Sequence, residues 1–326
     1  MRSVRFDQFG EPAEVLRVQD LPKPSPGPGQ VLVRMRARPI NPSDLMTVRG
    51  FYGMLPQLPA TPGNEGVGVI EAVGQDVQGI QVGQRVIPIR TPGTWQEYLV
   101  VNATHLIRPP DGLSDESAAQ FIVNPLTAWV MTTQELALQP GQWLLQTAAG
   151  STLGRMVLQI AKLRNFKTIN VVRRREQAQE LKGLGADEVI CTQDEDLVQR
   201  VMAITGGAGV PAAIDAVGGE VAGNVIQALG PGGVVLVYGR LSLEPTPIDS
   251  GQMIFRTSTV RGFWLAEWFR RTPAEKRQAV MGELMNHMAK GEIVPPVEAE
   301  YDLGKITEAV RHAERPGRHG KVLLVG

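Results

Sequence analysis

The chain has 326 residues, 43% of them hydrophobic, and its 33 Lys and Arg are matched by 33 Asp and Glu. That length suits about two domains with a substantial core, and a net charge of zero supplies no field to gather a polyanion, which argues against nucleic acid as a main partner. The one cysteine, Cys191, cannot form an internal disulfide; this fits a reducing compartment, and the residue reads most simply as a small buried apolar group.

The opening "MRSVRFDQFGEPAEVLRVQDL" has no long apolar core, no small-residue cleavage site and no Arg/Ser-rich amphipathic presequence, so the expectation is a cytoplasmic protein. No later stretch approaches the roughly 20 consecutive apolar residues of a membrane span. Residues 1–121 alternate short β-rich runs, "QVLVRMRARPI", "GVGVIEAVG", "QRVIPI" and "TWQEYLVV", with Pro/Gly punctuation such as "PKPSPGPGQ". They predict a strand-rich domain in which the Pro-rich piece is an internal loop. Within it, "RGFYGMLPQLPATPGNEG" sets Tyr52, one of only four tyrosines, in a stretch where no regular apolar face claims it. That placement makes Tyr52 a candidate for chemistry, with a packed loop tyrosine as the alternative.

The pattern changes near residue 122. Asn124 can cap a helix and Pro125 fits its first position, with "LTAWVMTTQELAL" following at helical spacing. From there to residue 266 strand-like and helical segments alternate: "QWLLQTA", "LGRMVLQIAKLR", "KTINVV", "REQAQELKGLG", "DEVI", a helix near 195–204, "PAAIDAV", "GEVAGNVIQALG" and "GGVVLVYG". This series predicts a Rossmann-type α/β domain, a doubly wound parallel sheet, with strands apolar enough to be buried on both faces. Residues 267–326 predict a helix over 273–290 and a final strand that returns to the first domain.

The turn in "TAAGSTLGRMVLQIAK" joins a buried strand to a helix, where backbone N–H groups and the helix dipole bind pyrophosphate. Its fingerprint is degenerate. Ala149 and Ser151 hold the first two glycine positions and Gly154 the third. Gly150 and Gly154 fit either a phosphate turn or plain turn and packing roles, and the surrounding β-α-β series favours binding. About 20 residues on, where an NAD site places an acidic residue, the chain has Arg173, Arg174 and Arg175. Three cations at a helix start oppose its dipole, and a bound 2′-phosphate would supply the missing anion, so the reading is NADPH.

"INPSD" at 40–44, "GNEGVGVIEAVG" at 63–74, "NPLTA" at 124–128 and "AIDAVGG" at 213–219 resemble the medium-chain dehydrogenase/reductase superfamily over nearly the whole chain. "GFYGMLPQLPATPGNEG", "KTINVVRRR" and "RGFWLAEW" resemble its zinc-free branch of mitochondrial-type trans-2-enoyl-CoA (enoyl thioester) reductases, close to the quinone oxidoreductases. The resemblance implies a β-rich, GroES-like catalytic domain over 1–121, a Rossmann domain over 122–266 with NADPH in the cleft, a C-terminal segment returning to the catalytic domain, and a homodimer. It places the catalytic tyrosine on Tyr52. Its cofactor positions fall on Asn124 and Thr127; on Gly150, Ser151, Thr152, Leu153 and Gly154; and on Arg173 to Arg175. They continue with Tyr238, Gly239, Arg240 and Leu241, then Phe263, Trp264 and Leu265, and end at Lys321. Thr152 stands where the family often has glycine and Arg174 where an aspartate is common, which bears on backbone approach and adenosine selectivity.

Zinc-dependent relatives carry a cysteine where this chain has Asn41 and a histidine where it has Asn64. One cysteine and four scattered histidines, His105, His287, His312 and His319, cannot assemble a four-cysteine structural site either, so no metal is expected. Hydride transfer without that Lewis acid needs an electron-poor carbon and a donor to receive negative charge. An α,β-unsaturated thioester with Tyr52 as donor fits. The alternatives are a quinone or enone reductase, in which Tyr52 is only a pocket wall, and a nucleotide-binding scaffold without turnover. Arg261, Arg270, Arg271 and Lys276 read as a scattered solvated face rather than a docking site for an anionic carrier.

Overall fold

The strand Gln30–Pro39 organises the first part of the molecule, because three others pair with it antiparallel: Val67–Val73, Tyr98–Asn102 and, from the far end of the chain, Lys321–Val325. The computed structural model describes residues 1–326. They form two compact units, Met1–Pro125 with Met285–Gly326, and Leu126–Leu284. Sequence patterning puts the joins after 121 and 266.

In the first unit the C-terminal strand aligns Leu323, Leu324 and Val325 with Pro39, Arg38 and Ala37. Arg38 is fully buried, and its guanidinium donates to the carbonyls of Leu324, Gly326, Gln96 and Met35 at 2.9–3.4 Å. Four backbone acceptors compensate the buried cation and tie the returning strand to the N-terminal one. The helix Ile306–Ala313 closes the same core, its Ile306, Ala309, Val310 and Ala313 packing with Val4, Phe6, Leu45, Val48 and Trp95. This apolar stripe recurs at i, i+3, i+4 and i+7, the spacing of a helix buried on one side.

The second unit is a six-stranded parallel sheet in the order Glu188–Cys191, Lys167–Val172, Trp143–Gln146, Val210–Asp215, Leu229–Val237, Thr259–Gly262. Counted along the chain this is 3-2-1-4-5-6, the doubly wound dinucleotide-binding order, with its switch point between Trp143–Gln146 and Val210–Asp215. Leu145, Ile169, Val171, Ile190, Ala213, Ile214, Val235 and Leu236 are all nearly inaccessible, as a sheet covered on both faces requires. Thr259–Gly262 lies at one edge, hydrogen-bonded on one side only.

One local reading is corrected. Asn124 is not the cap of a helix beginning at Pro125: helical backbone already spans Ile122–Leu126, with Pro125 inside it. The first free N–H groups, of Ile122 and Val123, are taken by the carboxylate of Glu65 at 3.0 and 2.8 Å. A cap supplied from 57 residues upstream leaves no trace in the local spacing, and it frees the Asn124 side chain for another bond.

Candidate functional site

In the second unit the turn after Trp143–Gln146 enters the helix Thr152–Arg164, and Ser151 caps it by accepting from Gly154 N at 3.1 Å. A Cβ on Gly154 would stand 2.4 Å from the Ala149 carbonyl oxygen, so glycine there lets the helix start press against the turn. Arg155 is buried beneath it and pairs with Glu180 at 2.7 Å. A helix start at the carboxyl end of the sheet leaves backbone N–H groups without helical acceptors, and an anionic group is favoured there.

The other predicted cofactor residues of this unit follow the carboxyl ends of neighbouring strands in the same sheet. Arg173 and Arg174 leave Lys167–Val172, and neither guanidinium has a protein partner. Arg175 differs: as the first residue of the helix Arg175–Gly183 it donates to Asp194 at 2.6 Å, and it is already neutralised. Tyr238, Gly239, Arg240 and Leu241 leave Leu229–Val237, held by Tyr238 N to Asp215 O at 2.8 Å and Leu241 N to Ala216 O at 3.1 Å. The Tyr238 hydroxyl is buried without a partner, and burial beside Asp215 pushes its pKa up. Phe263 is buried at the end of the edge strand, while Trp264 and Leu265 open the helix Leu265–Arg271. Buried Thr127 lies in Thr127–Val130, away from these strand ends in sequence. An anion cradle, two unpartnered cations and a buried phenol at one end of a doubly wound sheet fit a nicotinamide dinucleotide phosphate.

Of the four cations read as a solvated face, Arg261 and Arg271 both pair with Glu135, Arg270 pairs with Glu267, and Lys276 is exposed.

The first unit holds Asn124 and Lys321 in a buried polar network that sequence reasoning did not anticipate. Asn41, fully buried at the cap of the helix Pro42–Val48, donates its amide to Glu65 Oε1 at 2.8 Å and accepts from Asn124 Nδ2 at 3.0 Å. Asp44, three residues on, accepts from Asn41 N at 2.8 Å and from Asn64 Nδ2 at 2.6 Å. The two positions that carry zinc ligands in metal-dependent relatives are therefore amides engaged by carboxylates. No group of three or more His, Cys, Asp or Glu is placed to hold a metal ion. Gly63 brings the "GNE" turn close in: at φ 103°, a Cβ there would lie 2.3 Å from the Trp95 ring.

Burial pushes Glu65 up to about 7 and Asp44 up to about 6, against the pull of their hydrogen bonds and of Lys321. Lys321, 5% exposed, is pushed down to about 8 by burial, opposed by Glu65 and Asp44 and aided by Arg318. Its ammonium makes no protein hydrogen bond, and neither does the Asn124 carbonyl oxygen. A buried donor and a buried acceptor thus remain available to a ligand. The signals that sequence reading passed over were the acids in "INPSD" and "GNEG".

Tyr52 is half-buried in the loop between Pro42–Val48 and Ala60, beside exposed Phe51, Met54 and Leu55. It belongs to the same unit as the network.

Fold and site together define a two-part dehydrogenase in which the metal position is filled by amides. The alcohol dehydrogenase GroES-like domain matches residues 27–111, and the zinc-binding dehydrogenase domain matches residues 152–282. The mitochondrial enoyl-[acyl-carrier-protein] reductase of Xenopus tropicalis is 33% identical over 99% of this chain and 95% of its own length. Among solved structures, the Escherichia coli quinone oxidoreductase complexed with NADPH superposes with a TM-score of 0.92 at 27% identity, covering 100% of each chain. The ETR1P/NADP/crotonyl-CoA complex does so at 0.88 and 28%, covering 100% of this chain and 99% of that one. The chain belongs to the zinc-free branch of the medium-chain dehydrogenase/reductase superfamily and is an NAD(P)-dependent oxidoreductase. No helix is long and apolar enough to cross a membrane.

Proposed function

We propose that the protein uses NADPH to reduce the C=C bond of 2-enoyl thioesters, with Tyr52 as hydrogen-bond and proton donor. The observation that carries this reading is the state of positions 41 and 64. Both side chains are amides committed to Glu65 and Asp44, so substrate activation has to come from a hydrogen-bond donor. The resemblance of the stretch around residue 52 to the enoyl thioester reductases makes Tyr52 the donor we assign to that task. NADPH, when bound, supplies the hydride to the β-carbon. Tyr52 then stabilises negative charge on the thioester oxygen and delivers a proton to the α-carbon. Arg173 and Arg174, unpartnered, are assigned to the 2′-phosphate; the Gly150–Gly154 turn to the pyrophosphate; Thr127, Tyr238 to Leu241, Phe263 to Leu265, Asn124 and Lys321 to the rest of the cofactor. The name of the Xenopus relative and the crotonyl-CoA in the ETR1P complex support the thioester class.

A second reading, quinone or enone reduction, has its own support in the name of the Escherichia coli protein. Purified protein, freed of metal by exhaustive chelation, is to be mixed with NADPH and a panel of enoyl thioesters, enones and quinones while absorbance at the nicotinamide band is followed. The expected outcome is undiminished turnover of the thioesters above the other classes. Preference for quinones would replace the reading, and activity lost on chelation and restored by zinc would overturn metal independence.

We also propose a homodimer through the strand Thr259–Gly262. It is a sheet edge with exposed backbone, preceded by the exposed apolar side chains of Ile254 and Phe255. Antiparallel pairing with its own copy covers an edge that otherwise invites aggregation. Light scattering at micromolar concentration is expected to give twice the 35.4 kDa chain mass, and Val260→Pro, which introduces a ring and removes an N–H in that edge strand, is expected to shift it toward monomer. A monomeric wild type would rule the dimer out.

A further inference from the structure

We infer that Glu65 is a positioning residue: its carboxylate fixes both the Asn41 amide and the 122–123 backbone, and so aims the Asn124 side chain. The inference rests on the assignment of Asn124 to the cofactor.

The geometry is specific. Glu65 is inaccessible to solvent, and both of its oxygens accept: Oε1 from Asn41 Nδ2 at 2.8 Å, Oε2 from Ile122 N at 3.0 Å and Val123 N at 2.8 Å. Because the Asn41 Nδ2 faces Glu65, its Oδ1 faces Asn124 and accepts from Asn124 Nδ2 at 3.0 Å. That bond in turn commits the Asn124 nitrogen and leaves its carbonyl oxygen as the unengaged acceptor. Asn124 is therefore held twice by the same carboxylate, once through its own side chain and once through the backbone just before it. A chain of polar groups in which each orientation dictates the next holds one arrangement only when every member is satisfied. Asp44 completes the set by accepting from Asn41 N.

Glu65→Gln keeps the shape and breaks the logic. A glutamine has one acceptor oxygen, so it can serve Asn41 or the two backbone N–H groups, and on the other side it sets donor against donor. If Glu65 acts through Asn124, NADPH affinity measured by fluorescence titration well below the melting temperature should fall about ten-fold or more in Glu65→Gln. Asn124→Ala should fall similarly, and Glu65→Gln should add little in the Asn124→Ala background. The exchange Asn41→Asp/Glu65→Gln supplies the internal rescue. The introduced glutamine donates its amide to the introduced aspartate and accepts from the backbone, the aspartate accepts from Asn124, and the total charge is unchanged. This double variant is expected to recover most of the lost affinity, and it covers the case in which Glu65→Gln alone folds poorly. Additive losses for Glu65→Gln and Asn124→Ala, or a folded exchange variant that remains as weak as Glu65→Gln, would overturn the positioning role while the cofactor assignment stands. Unchanged affinity in Asn124→Ala would remove Asn124 from the cofactor site, and the inference with it.

Discussion

Tyr52→Phe is expected to lower 2-enoyl thioester turnover by about 10²–10³, the scale of removing one donor to a developing oxyanion. The substitution keeps the ring and therefore the packing of a half-buried side chain, so folding and NADPH affinity should change little. Asn41 and Asn64 donate their side-chain amides to carboxylates. The loss should appear in kcat and in kcat/KM alike, because the bond strengthens only as charge builds on the thioester oxygen. A quinone disperses that charge through its own conjugation and should be reduced by the variant nearly as fast as by the wild type. The ratio of the two rates with one enzyme preparation is thus internally controlled against partial misfolding. Near-normal thioester turnover would take Tyr52 out of the chemistry and raise the quinone or enone reading above the thioester one.

What could be read from the sequence follows from the range of the forces involved. The parallel sheet was legible because its strands are apolar runs separated by amphipathic helices, and that periodicity is local. The turn from Trp143–Gln146 into Thr152–Arg164 was legible for the same reason, even with Ala149 and Ser151 in two glycine positions: strand, turn and capped helix are adjacent in the chain. Asn124 is not the helix cap that its local sequence predicts, because its partner, Asn41, is 83 residues away and the backbone cap, Glu65, is 57 residues from Ile122. Asn-Pro ahead of an apolar periodic segment satisfies every local rule for a helix start, and the deciding bond is tertiary. The burial of Asp44 and Glu65 leaves no sequence signal because an isolated Asp or Glu reads as surface, and only the structure shows the donors that make burial tolerable. The three arginines looked equivalent in sequence for a related reason. Asp194, which removes Arg175 from the set, lies 19 residues further along.

That distinction sharpens the expectation for cofactor choice. Arg173→Ala should weaken NADPH binding by about ten-fold or more, since a hydrogen bond to a charged group contributes roughly 1.5–3 kcal/mol, and it should leave NADH binding nearly unchanged. Arg174→Ala should act in the same direction, because its guanidinium is likewise without a protein partner. Arg175→Ala serves as the contrast. Its guanidinium is exposed and already paired with Asp194 at 2.6 Å, so its loss should change the NADPH to NADH ratio by less than either neighbour does. The discrimination should also weaken with added salt, as a charge contact near the surface does. Titrating both cofactors against the three variants gives a pattern that general electrostatics cannot imitate: a loss of net positive charge would weaken NADPH through all three about equally. Equal losses for NADPH and NADH in Arg173→Ala would sink the 2′-phosphate assignment and leave the preference of this enzyme between the two cofactors to residues other than the arginine run.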